Sequence, residues 1–144
     1  MLKQQMIKDI NKAKYLYLDK LLEENDLELH IYVDEAISEL EVINSSEGQS
    51  AYAPIITTDS CAKYNIIFNN YVCYSIRNES FTSEDKEEVY VGNLFRVYSK
   101  SKFLDYIHSS CIGLDILAPK MKHYEIACLN HIIDVATENE PIIT

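Results

Sequence analysis

The chain has 144 residues, 47% of them hydrophobic, and carries a net charge of −10 from 23 acidic and 13 basic side chains. A single domain spanning 1–144 is expected; a chain of this size buries roughly two-thirds of its unfolded surface and requires neither disulfides nor a metal for stability. The negative field disfavours nucleic acid and anionic membrane as partners, and three glycines and three prolines leave no Gly-rich phosphate loop or low-complexity segment.

The N-terminal stretch MLKQQMIKDINKAKYLYLDK is charged throughout, unlike a secretory signal, and no apolar run approaches the roughly 20 residues of a membrane span. A cytoplasmic protein is therefore expected. Leu2, Met6, Ile10, Ala13, Tyr17 and Leu21 recur at spacings of three and four, which predicts a helix over 3–25. Its lysines come early and its acids, Glu23, Glu24 and Asp26, come late. That order opposes the helix dipole, so packing must hold such a helix.

Residues 27–33, LELHIYV, alternate cleanly and predict a half-buried strand, with Leu27, Leu29, Ile31 and Val33 inward and Glu28, His30 and Tyr32 outward. Residues 34–43 fit a short helix or a strand, with strand favoured because NSSEGQS (44–50) reads as a turn. The strongest β signal is KYNIIFNNYVCYSIR (63–77), where Asn69-Asn70 forms either a two-residue hairpin turn or a bulge within one long strand. A polar, acidic loop follows over 78–88. Residues 89–98 return as strand with a bulge or turn at Gly92-Asn93. Ser99 or Ser101 caps a helix through about residue 110, with Phe103, Leu104 and Ile107 inward. CIGLDILAP connects to HYEIACLNHIIDVAT (123–137), which closes the sheet. The expected class is α+β: an antiparallel β-sheet with an N-terminal helix and a second short helix near residues 101–110.

Four groups of residues invite chemical readings. His123, Glu125, His131 and Asp134 are the densest set of potential metal ligands, but their spacing specifies no complete ligand shell. A polar strand edge with satisfied histidines is preferred, and no metal or cofactor is expected. Cys128 with His123 or His131, or Ser101 with His108, can be paired on paper as nucleophile and base, yet no protease or hydrolase signature surrounds them. No catalytic residue is assigned, and the protein is not expected to be an enzyme. The four cysteines, Cys61, Cys73, Cys111 and Cys128, form no C-x-x-C pair and read as free thiols of a reducing compartment. Two acidic groups, Glu84, Asp85, Glu87 and Glu88 and then Glu138 and Glu140, read singly as solvated loops and together as a surface for Lys and Arg of a partner.

Three segments, YNIIFNNYVCYSIRNES (64–80), GNLFRVYSKSKFLDYI (92–107) and HYEIACLNHIIDV (123–135), in that order, resemble a group of small bacterial proteins. Some of these look like immunity proteins of contact-dependent or polymorphic toxin systems. The resemblance carries over no functional residue. It implies a cytoplasmic immunity protein that inhibits a cognate toxin domain, a basic nuclease being the physical match to a −10 chain. Two alternatives stay open: a small metal-dependent hydrolase using the His123–Asp134 region, and an acidic phage-type inhibitor that mimics nucleic acid.

Overall fold

A computed structural model of the chain describes residues 2–38 and 54–144. Residues 39–43, part of the segment left between helix and strand, and the turn expected at 44–50 lie outside the described residues. Among the described residues the architecture is α+β and mostly β: an N-terminal helix, α1 (Leu2–Lys12), short helices, and ten strands in two antiparallel sheets. The first sheet runs in the order β1 (Tyr15–Asn25), β2 (Glu28–Ser38), β4 (Lys63–Asn69), β10 (Ile142–Ile143), with β3 (Ile55–Ile56) also paired to β2. The second runs β5 (Cys73–Asn78), β9 (His131–Thr137), β8 (Lys122–Ala127), β7 (Phe95–Lys100), β6 (Val89–Val91). The helices α2 (Lys102–Ser110) and α3 (Leu114–Leu117) join β7 to β8.

The helix expected over 3–25 ends at Lys12, and Tyr15–Asn25 is instead a strand paired with β2. The run YLYLDKLL satisfies both the helical and the two-residue period, and tertiary pairing decides between them. Leu16 and Leu18 are buried while Tyr17 is 45% exposed, the signature of a strand with one face inward. The conflict with the helix dipole also disappears. Glu23, Glu24 and Asp26 belong to the β1–β2 hairpin, and Lys12 stands in the last turn of α1, where a cation is favourable. Leu27 does not face the core as the alternation predicts. It sits in the hairpin turn with φ of 57°, exposed.

Leu29, Ile31 and Val33 are fully buried, as their alternation predicts, and meet Leu16, Ile66 and Phe68 in one core with Phe95, Ile126, Ile133 and Val135 of the second sheet. Residues 63–77 do form two strands broken near Asn70, whose φ is 54°. They are not a hairpin, because β4 pairs with β2 and β10 while β5 pairs with β9. The chain turns a corner there and passes from one sheet to the other, so the apolar faces of both strands meet the same core. Residues 122–137 form a hairpin, β8–β9, that lies inside the second sheet rather than at its edge.

Three asparagines hold the corners. The Asn11 side-chain oxygen accepts the backbone N–H of Asn93, Leu94 and Phe95 at 2.8, 2.9 and 2.9 Å, tying α1 to the β6–β7 turn. Gly92 in that turn has φ of 104°, and a Cβ there would lie 2.1 Å from the Phe95 carbonyl oxygen, so only glycine fits. Asn130 both accepts from Leu18 N–H (3.0 Å) and donates to Leu18 C=O (3.1 Å), filling the ladder beside a bulge in β1 and joining the sheets. Asn70 donates its backbone N–H to Leu27 C=O.

Candidate functional site

The inner face of the second sheet is apolar; its outer face is not. His123 and Glu125 alternate with the core residues Tyr124 and Ile126, so both point outward from β8. The register sets Asp134 of β9 opposite Glu125, Ser75 of β5 opposite Asp134, and Arg96 and Tyr98 of β7 opposite Glu125 and His123. Helix α2 and the loop after β5 cover this face, and the polar groups beneath them are buried: His123, Glu125 and Asp134 are each less than 5% exposed.

Burial requires each group to find a partner, and each does. Ser101, the N-cap of α2, accepts the backbone N–H of Leu104 at 3.0 Å, as the capping signal predicts. His123 Nε2 lies 2.6 Å from Asp134 Oδ1 and Nδ1 lies 2.8 Å from the Ser101 hydroxyl; with the carboxylate as acceptor, the ring proton sits on Nε2 and Nδ1 accepts the Ser101 hydroxyl proton. The His123 ring also stacks on Tyr98, with centroids 4.4 Å apart, and touches Phe103. Burial pushes the imidazole down to about 4, so it stays neutral at pH 7. Glu125 accepts from Tyr98 Oη at 3.1 Å and from Arg96 Nη1 at 3.2 Å, and Arg77 stands 3.7 Å from Glu125 and 3.8 Å from Asp134. Burial first, and then the neighbouring Asp134, raise Glu125 to about 7. Burial raises Asp134 as well.

The sequence-predicted residues sort as follows. Of the four potential metal ligands, His123, Glu125 and Asp134 converge with ligand atoms within 4.8 Å of one another, the one such group among the described residues. His131 does not join them. It lies an odd number of residues from Asp134 on β9, which turns it to the other face of the sheet. Ser101 pairs with His123, not with His108, which is exposed on α2. Cys128 is in the core between the sheets, its thiol pushed up to about 12 by burial, and is remote from any role as a thiolate. No family model, curated protein or solved structure matches the chain.

A cavity of about 300 Å³ opens over the buried cluster, lined by Arg77, Asp85, Glu88, Lys102, His123, Glu125 and Asp134, with Phe81, Phe103 and Tyr106 as its apolar walls. The first acidic group is brought to this mouth: Asp85 pairs with Lys102 at 3.1 Å, Glu88 accepts the Lys102 backbone N–H at 3.0 Å, and Glu84 lines the adjoining hollow beside Arg77 and Arg96. Glu87 is exposed on the same loop. The second group stands apart. Glu138 accepts the Lys120 backbone N–H, and Glu140 pairs with Lys3 of α1. No sequence motif marks Arg77, Arg96, Tyr98 or Phe81. The alternation of FRVY pointed to one face for Arg96 and Tyr98, but nothing local showed that this face carries Glu125.

The geometry constrains the chemistry. Ser101 resembles a nucleophile with a His–Asp relay behind it, but the residue is buried, its oxygen caps a helix, and it does not line the cavity. The carboxylates that would hold a cation are already faced by two guanidinium groups within 4 Å. Among the described residues no helix is long and apolar enough to cross a membrane.

Proposed function

We propose that this chain is a binding protein of the immunity type, acting in the cytosol by covering a basic toxin domain. One observation carries the reading. In the layer that covers the outer face of the second sheet, large apolar side chains stand in solvent beside acids: Phe81 is 85% exposed and Tyr106 59%; further along the chain, Ile112 after α2 is 91% and Ile116 of α3 85% exposed. Folding alone gives no reason to hold them there, and exposed aromatic and aliphatic groups rimmed by polar ones are how a protein interface is built. Glu84, Asp85, Glu87 and Glu88 flank Phe81 in sequence, and the whole chain carries −10, so the partner that fits is basic. The four free cysteines suit a reducing compartment.

The test is co-expression with the protein encoded immediately upstream. Protection of the cells and a one-to-one complex, weakened about tenfold or more by high salt, are expected. Loss of viability despite a folded chain, with no complex at low salt, would overturn the reading. The convergence of His123, Glu125 and Asp134 favours a metal-dependent hydrolase as the second reading. Elemental analysis of purified protein separates the two: a stoichiometric transition metal, lost in His123→Ala, would select the hydrolase.

A further inference from the structure

We infer that the cavity over the second sheet receives a cationic side chain, arginine above all, from the basic partner. This deepens the binding role proposed above and rests on it. The lining has four carboxyl groups, Asp85, Glu88, Glu125 and Asp134, against Arg77 and Lys102, and Arg96 reaches Glu125 from the adjoining hollow, so Glu88 is the acid of the lining that no cation pairs among the described residues. Lys102 is engaged with Asp85 and Arg77 with the buried pair. Glu88 accepts a neutral donor, the Lys102 backbone N–H. Opposite these acids stand Phe81, Phe103 and Tyr106, two of them exposed at the mouth. Carboxylate on one side and aromatic faces on the other match a guanidinium, which donates in-plane hydrogen bonds to the acid and stacks on the ring. At about 300 Å³ the cavity lies at the small end of ligand pockets and suits one long side chain. An interface anchored by one buried arginine places its hot spot here, with Phe81 covered as it enters.

The same carboxylate and aromatic chemistry would take free arginine, so the experiment has two arms. In the first, the full chain is titrated with Nα-acetyl-arginine methylamide and with the matching citrulline derivative, and backbone amide shifts are followed by NMR. Saturable shifts at Arg77, Phe81 and Glu88 with the arginine probe alone are expected, weakened at least tenfold in Glu88→Gln, which keeps the acceptor for Lys102, and in Phe81→Ala, which removes a side chain already in solvent. Equal response to citrulline, or none to arginine, would overturn the inference. In the second arm the upstream-encoded protein is the probe. The double variant should bind it at least a hundredfold more weakly than the wild type. Undiminished binding by the double variant overturns the cavity assignment and leaves the immunity role intact, whereas a wild type that binds no such protein overturns both.

Discussion

Glu125 and His123 lie two residues apart on one strand, and burial shifts them in opposite directions. Glu125 rises from its ordinary 4.5 to about 7 in the folded chain. Between those values the native state holds a proton that the unfolded chain has released, so stability falls as pH rises. His123 falls from 6.5 to about 4. Between those values the unfolded chain binds a proton that the native state refuses, so stability rises with pH. From pH 5 to pH 8 the Glu125 contribution is a loss of about 2.5 kcal/mol and the His123 contribution a gain of about 2 kcal/mol, at about 1.36 kcal/mol per unit. The wild type therefore conceals both. Glu125→Gln removes one: its stability relative to wild type should grow by about 2.5 kcal/mol between those pH values. The difference reports Glu125 together with its pull on His123 and Asp134; the other groups facing it, Arg96 and Tyr98 from β7, Arg77 from β5, and Asp85, Glu88 and Lys102 across the cavity, are common to both proteins. Urea unfolding followed by far-ultraviolet circular dichroism measures it. A relative change under about 1 kcal/mol would show that Glu125 ionises in the native state as freely as in the unfolded chain, and would refute the reasoning.

Two further substitutions test the fold that carries this site. Asn11→Ala orphans the half-buried N–H groups of Leu94 and Phe95 and should cost about 2–4 kcal/mol, a fall of roughly 5–15 °C in Tm, whereas Asn11→Asp keeps the accepting oxygen and should cost about 1 kcal/mol or less; equal losses would show that the oxygen is not what matters. Leu27→Gly should raise stability by about 0.5–1 kcal/mol in the same unfolding assay, because a leucine at φ of 57°, exposed in its turn, gives up little packing and relieves backbone strain; a loss of stability would contradict this.

Much of this structure was legible before folding. The alternation in LELHIYV placed Leu29, Ile31 and Val33 in the core, Ser99 or Ser101 announced a helix that Ser101 caps, and Gly92-Asn93 marked a bulge or turn that joins β6 to β7. The alternation in HYEIA set His123 and Glu125 on one face, because side-chain direction along a strand is a local property. The strand at Tyr15–Asn25 was hidden, since leucines at 16, 18, 21 and 22 serve either period and only pairing with β2 chooses. Hidden too was the corner at Asn70, because a positive φ breaks a strand without saying which sheet the next one joins.

Amino-acid order alone thus determined the α+β class, the inward faces of β2 and β8 and the excess of acid, all of which follow from side-chain chemistry repeated at short spacing. Tertiary structure alone decided that Ser101, His123 and Asp134 form one chain of hydrogen bonds and that Arg77 and Arg96 face Glu125. Those contacts join residues tens of positions apart, and their geometry comes from strand register and sheet packing, which no local pattern encodes.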